Sequence, residues 1–463
     1  MNKSLYIVAF SLAFATTGIA QNNEGQDKVI DLGTQTTTEL RKTQAVSTIY
    51  SDELDKNATT SPYNAIYGLL PGLSVMQNTS WGTDKSRLNV RGRGSLNGDT
   101  PLFVVDGFAR PLEYINLSEI ESISVLKDGA ATALWGGRGA NGVVLITTKR
   151  GIYNQKDIKV DYKFGLGLPV NQPEFADAYT YAKARNEALR YDGLQPDMDE
   201  ASFLSGGNSD LYPNVDWQKE ALRNHTTSHQ LDITFRGGGK RLRYFSVLNY
   251  KNDMGLLNSK YTDYTDRYNS QMKKYFLNLR MNLDVDITDA TKLKLSMLGM
   301  LRETKRPTTS EATLFEQIFN TPSAAFPVQT QNGFWGSNNV LKTNPIANLA
   351  DVGYYKLNQR MLQADLRLVQ DLSVLTRGLS AELAIAYDNN ATYQETAKKS
   401  FMYQTIEKGT DGEPIYTNYG NPNDELEISN KGLANQYTYG LVVAVAFNAA
   451  CRKVVMRSVP LIR

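Results

Sequence analysis

A single cysteine in 463 residues, Cys451, leaves this chain no disulfide framework and no lipidation site near its N-terminus. Only two histidines occur, His225 and His229, and their position at the start of an expected strand does not let them converge on a metal. Neither charge sign is in excess: 50 basic residues stand against 48 acidic ones, a net +2 that excludes the basic surplus of a nucleic-acid binder. Beyond the first twenty residues no apolar run approaches the roughly 20 residues of a transmembrane helix. With a mean hydropathy of −0.40, a helical membrane bundle is excluded. No serine, cysteine or carboxylate pair stands in a catalytic frame, so neither an enzyme nor a cofactor is expected.

What is present begins with an export signal. Lys3 supplies the positive region, Leu5–Ala15 the apolar stretch and Gly18-Ile19-Ala20 the small-residue cleavage site, so residues 1–20 are read as a signal peptide. Residues 21–44 are polar and expected to be a flexible arm, interrupted by the short run Lys28-Val29-Ile30-Asp31-Leu32. Residues 45–151 read as a compact α/β unit. Residues 152–227 are mixed, with a helix expected at Ala176–Leu189. From 228 to 446 the pattern is strand and loop.

In the compact unit, short apolar runs (Leu102–Val105, Ile123–Leu126, Val143–Thr147) alternate with glycine-dense turns. Ser61-Pro62 opens a helix that places Ile66, Leu69 and Leu70 on one face and ends at Pro71-Gly72. Ser118 and Glu121 fit a capping box, and Ala130–Trp135 reads as one or two helical turns ended by Gly136-Gly137.

The later region alternates with period two. Tyr275, Leu277, Leu279, Met281, Leu283, Val285 and Ile287 share one face; Asn278, Arg280, Asn282, Asp284 and Asp286 share the other. Leu293–Leu301, Leu231–Phe235, Leu242–Tyr250, Leu362–Leu368, Leu379–Tyr387 and Tyr437–Ala446 repeat the theme. A soluble β-sandwich could alternate likewise. Long strands, very long intervening loops (302–358, 388–436) and 26 tyrosines favour a membrane barrel whose wall turns its apolar face to lipid.

Gly137-Arg138-Gly139-Ala140-Asn141-Gly142 matches the dinucleotide-binding string, with Asp161 about 20 residues beyond. That fingerprint needs a strand before it and a helix after it, and the expected order here is the reverse. The glycines are instead read as a tight turn between closely packed backbones. Arg91-Gly92-Arg93-Gly94 could hold an anion, but pairing of its arginines with carboxylates of the surrounding wall is the favoured reading. Asp106-Gly107 is read as a turn.

Two long runs, VRGRGSLNGDTPLFVVDG (90–107) and IESISVLKDGAATALWGGRGANGVVLITTKRG (120–151), resemble the plug of TonB-dependent outer-membrane transporters of the SusC/RagA branch. They contain Arg91, Gly92, Arg93, Gly94, Asp106, Gly107, Lys127, Asp128, Gly137, Arg138, Gly139, Asn141 and Gly142. FADAYTYAKARNEALRYDG (175–193) and YPNVDWQKEALRN (212–224) extend the likeness. It implies a small α/β plug domain (45–151) inside an antiparallel β-barrel of about 22 strands, begun by residues 152–463. It also implies an outer-membrane location in a Gram-negative bacterium and energising by TonB and its inner-membrane complex. A SusD-like surface lipoprotein would serve as lid, and the cargo would be oligosaccharide or peptide. Lys28–Leu32 is the candidate TonB box, because a short apolar run in a flexible arm can add a strand to a partner's sheet edge.

Only eight to ten strands are expected here, fewer than half of that barrel. The basic, non-alternating end Cys451–Arg463 suggests truncation or a frameshift near 446–451, hence a non-functional copy. Phe334, Trp335, Tyr354 and Tyr355 are weak candidates for cargo contact by ring stacking, against ordinary loop or girdle packing. A passive porin-like channel and a soluble exported binding module made of the plug are the rival functions.

Overall fold

The computed structural model describes residues 29–31, 36–38, 42–56, 59, 61–77, 86–95, 98–170, 172–263, 265, 267–421, 425–449 and 452–457. Two sheets dominate it. The smaller orders its strands Val46–Tyr50, Ile120–Leu126, Val143–Thr148, Leu102–Val105 and Phe108–Ala109. Leu102–Val105 runs parallel to Val143–Thr148, and the other pairings are antiparallel.

Near-continuous apolar strands belong in a sheet covered on both faces, and this one is. Ile49, Ile123, Val125, Val144 and Ile146 pack on one side with Ile66, Leu70 and Leu88. Val46, Leu126, Val104, Val143 and Leu145 pack on the other with Ala131 and Ile30.

Three local expectations shift. The helix opened by Pro62 ends at Ala65 rather than continuing to Pro71, and Gly68 lies in the left-handed region at φ +73°. Ile66 and Leu70 are buried as expected, whereas Leu69 is exposed. The capping box sits two residues earlier, with Asn116 accepting from the Ser118 N–H and Glu119 accepting from the Asn116 N–H. The arm is not wholly free: Val29–Asp31 pairs with Thr36–Thr38, and Ile30 is buried against the plug core, where its apolar side chain escapes water.

The larger sheet has nine antiparallel strands among the described residues: Lys156–Gly167, Thr226–Gly238, Leu242–Met254, Lys273–Asp286, Thr291–Pro307, Gly353–Asp371, Leu379–Lys398, Glu427–Ala449 and Arg452–Arg457, paired in that order. First and last are not joined, so the wall is open here. Lys156–Gly167 was not expected as a strand, although Ile158, Val160, Tyr162, Phe164 and Leu166 alternate along it. The expected helix is present as Ala178–Tyr191, capped by Asp177. The first eight of these strands, of 12 to 23 residues, exceed the roughly 9–11 that a tilted strand needs to cross a bilayer. No described helix is long and apolar enough to span one.

The wall's two faces separate it from a soluble sandwich. Asn249, Asn278, Arg280 and Asn282 are at most 2% exposed, while Leu279 and Met281 are 43% and 50% exposed. A soluble sandwich would bury the apolar face against a second sheet. Here the polar face is the covered one, as in a barrel wall. Tight turns close one end of the wall, at 239–241 and 287–290. At the other end, residues 308–352 and 399–421 fold into their own layer, with helices Glu311–Asn320 and Pro345–Ala350 and a small sheet of Trp335–Ser337, Met402–Lys408 and Pro414–Gly420. Trp217, Leu314, Ile318, Phe326, Trp335 and Ile346 form its core.

Candidate functional site

The polar face of the wall is covered by the plug, and their seam is the site. It is built mainly from plug residues 106–121 and 148–153. Arg110, 3% exposed, reaches between two neighbouring wall strands. Its Nη1 and Nη2 donate to Asp365 at 2.7 and 2.5 Å, and its Nε and Nη2 donate to Asp388 at 3.0 and 2.6 Å. A planar guanidinium suits such paired carboxylates, where a lysine would not. Burial opposes its charge, but the two carboxylates outweigh that and push the Arg110 pKa further up.

Glu119, fully buried, accepts from Arg280 Nε and Asn278 Nδ2, both at 2.5 Å. Burial pushes its carboxyl up, and the Arg280 charge opposes this. Arg150 donates to Asp284 at 3.0 Å and Ser296 at 2.8 Å. Asn282 donates to Thr148 Oγ1 and the Lys149 carbonyl, and Asn249 to Ser118 Oγ at 2.7 Å. Among the described residues, buried apolar contact across the seam includes two small clusters: Tyr114 with Phe276, Met300 and Met361, and Phe108 with Ala384 and Ala386.

The motif residues mostly serve the plug itself. Arg93 pairs with Asp99 at 3.4 Å, inside the plug; the arginines that meet wall carboxylates are Arg110 and Arg150, correcting the expectation for Arg91 and Arg93. Exposed Arg91 adopts φ +59°, and its N–H donates to the Gly72 carbonyl; Gly92, Gly94 and Arg138 are exposed too. Asp106-Gly107 forms the two-residue turn between Leu102–Val105 and Phe108–Ala109. The Asp106 carboxylate accepts from Thr148 N at 3.0 Å and Oγ1 at 2.6 Å, and its carbonyl accepts from wall residue Arg367 at 2.8 Å. Burial works against that carboxylate, but the Arg150 and Arg280 charges and the Thr148 bonds hold its pKa below the usual range.

Lys127 donates to Ser47 Oγ and the Pro71 carbonyl. Asp128 caps the next helix through Ala131 N–H at 2.8 Å and accepts from Ala45 N–H at 2.7 Å. Gly137 and Gly139 lie in the helical turns that precede strand Val143–Thr148, the order that rules out a dinucleotide cradle. Asn141 donates to the Gly98 carbonyl. Gly142 has φ +88°, and a Cβ there would come within 2.8 Å of Val90. Of the candidate box, Lys28 and Leu32 lie outside the described residues.

The four aromatic candidates do not form one surface. Trp335 is buried in the loop core and donates to Asp351, which corrects its reading as a cargo contact. Phe334 beside it is half-buried. Tyr354 donates to Glu395, and Tyr355 lies against Arg306. Among the described residues no group of histidines, cysteines and carboxylates could hold a metal. Tyr162 Oη and His229 Nδ1 lie 2.7 Å apart.

Sequence reasoning missed Arg110, Glu119 and Arg150. Their signal was faint: ordinary charged residues in short connecting segments, with partners some 130 or more residues away. It did place Asn278, Arg280, Asn282 and Asp284 on the inner face.

Comparison with known proteins agrees with this geometry. Residues 38–143 match the family model of the TonB-dependent receptor plug domain. The TonB-dependent receptor SusC of Bacteroides thetaiotaomicron is 30% identical over 283 residues, covering 58% of this chain and 26% of that protein. TonB-dependent receptor P26 of Formosa agariphila is 28% identical over 281 residues, covering 59% and 26%. The chain thus spans about a quarter of these relatives' length. In fold it is similar to the RagAB peptide importer in its open-open state, with a TM-score of 0.66 at 17% identity, covering 91% of this chain and 54% of that one. Plug, seam and wall, with these matches, make this chain similar to TonB-dependent receptors of the SusC/RagA type.

Proposed function

We propose that the chain belongs to an active importer of nutrients in the outer membrane of a Gram-negative bacterium, with the plug as its gate. The observation that carries this is the seam: a folded domain covers the polar face of a sheet whose other face is apolar and uncovered. A permanently open pore needs no such stopper. The plug is held by ion pairs and hydrogen bonds that water can replace, so it can be displaced while its own core stays folded. TonB and its energising complex supply the pull through the segment before the plug. Lys28–Leu32 is the box, a short apolar run suited to β-addition once its hairpin opens. A SusD-like lipoprotein closes the long-loop end, and the cargo is an oligosaccharide or peptide. The chemistry is binding and release, with no covalent step.

Whole-cell uptake of labelled oligosaccharides and peptides tests the reading. Uptake should collapse when the proton gradient is dissipated, and also when residues 28–32 are replaced by a glycine–serine stretch. Uptake that persists through both treatments identifies a passive channel instead.

A further inference from the structure

Three neighbouring wall strands carry a row of lysines on their outward face. Lys273 lies opposite Lys305, and Lys305 opposite Lys356, in unbroken register. With strands about 4.8 Å apart, the row spans about 10 Å. Arg360 stands four residues further along the same strand and face, level with Leu301.

Like charges set directly opposite one another across strands destabilise a sheet. Their neighbours do little to relieve them here. Glu303 binds Lys356 at 3.1 Å, and Glu395 accepts from Tyr354. Lys305 lies over the Tyr354 ring at 4.9 Å. Two acids, both engaged, thus stand against the three lysines.

The depth of the row identifies what it faces. Along the same outward face, Leu277, Leu279, Leu301 and Leu362 are exposed apolar residues; Tyr275 and Tyr393 come next, and then the lysines. Apolar band, tyrosine girdle and cations follow the order of acyl chain, interface and headgroup in a bilayer. The row lies only at the long-loop end. At the tight-turn end of the same strands the outward residues are Ile287, Thr291 and Gln370, which carry no charge.

We propose that Lys273, Lys305 and Lys356 bind the phosphate groups of an anionic lipid in the leaflet beside the long loops. The inference rests on the outward face meeting lipid. It is tested without any transport step, so its failure and that of the import reading are separable. The ammonium groups would bridge phosphate oxygens as point charges, while the lipid's chains lie along Leu277, Leu301 and Leu362.

The experiment measures lipid retention by native mass spectrometry on the full chain in neutral detergent. The probes are diphosphoryl lipid A and the same lipid stripped of phosphate. A cation at an anionic surface contributes a factor of roughly five, so the phosphorylated form should be retained at least ~10-fold better. The triple variant K273Q/K305Q/K356Q should abolish that preference, and K273R/K305R/K356R should keep it. Excess inorganic phosphate should leave the lipid bound. Equal retention of the two lipids by the unaltered protein overturns the proposal whatever the variants do. An unchanged preference in the glutamine variant also overturns it, and complete displacement by inorganic phosphate reassigns the row to free phosphate.

Discussion

Plug and wall bury opposite kinds of residue. The plug hides Ile49, Ile123, Val144 and Ile146 and turns Arg110, Glu119 and Arg150 outward; the wall hides Asn278, Arg280 and Asn282 and leaves Leu279 and Met281 uncovered. Each alone follows a familiar rule, the plug for water and the wall for lipid. Placed together, their polar surfaces meet, and the seam becomes a set of directional bonds rather than an extension of either core. Such a joint fixes position closely while contributing little apolar burial.

Breaking that joint at its most buried pair should have the largest effect. Glu119→Ala strands the Arg280 guanidinium in a dry environment, at a cost of about 3–5 kcal/mol. The thermal midpoint of the full chain in detergent should fall, whereas Glu119→Leu combined with Arg280→Leu recovers most of the loss. A double variant no better than the single one would mean that the pair does more than satisfy itself.

The other face is tested by Leu279→Arg. A cation at mid-bilayer depth on a barrel's lipid face costs about 2–4 kcal/mol, against a few tenths on a water-exposed sheet. Unfolding in lipid vesicles reads the difference, and a change within about 0.5 kcal/mol would contradict the lipid-facing assignment.

Gly142→Ala acts inside the plug alone. The added methyl meets Val90 at a backbone angle unfavourable to L-residues, for about 1–3 kcal/mol of plug stability. Proteolysis within residues 86–151 should accelerate while the wall stays resistant.

The smallest effect is electrostatic. The Ala45 N–H, against the opposition of burial and with help from Ala131 N–H, holds the Asp128 carboxyl below its ordinary range. A depressed carboxyl contributes stability that is present above its unfolded pKa and lost as pH falls through the folded value. Plug stability should therefore decline on acidification below the usual aspartate range. Asp128→Asn, which still caps the helix, should flatten that acid limb and leave neutral pH little changed.

Much of this arrangement was legible in the chain because alternation is a local signal. Leu277 to Val285 and their polar neighbours assign two faces without knowledge of any partner strand. The first wall strand, 156–167, was equally patterned, but its lysines and aspartates made it read as irregular. The seam was far less legible. Nothing near Arg110 announces Asp365 and Asp388, because their meeting depends on how the plug is seated. Trp335 shows the opposite error: an aromatic in a long loop suggests recognition, yet this loop folds a core of its own and needs the ring inside it.

Phe108 has a mechanical consequence. Its ring sits so close to Gly440 that a Cβ there would come within 2.9 Å of it, in a notch beside Ala384 and Ala386. A rigid peg in a socket lined by the smallest side chains resists sliding and rotation, yet offers little grip against straight withdrawal. Alignment on return is thereby built in, and a stopper that leaves its seat has one orientation in which to drop back.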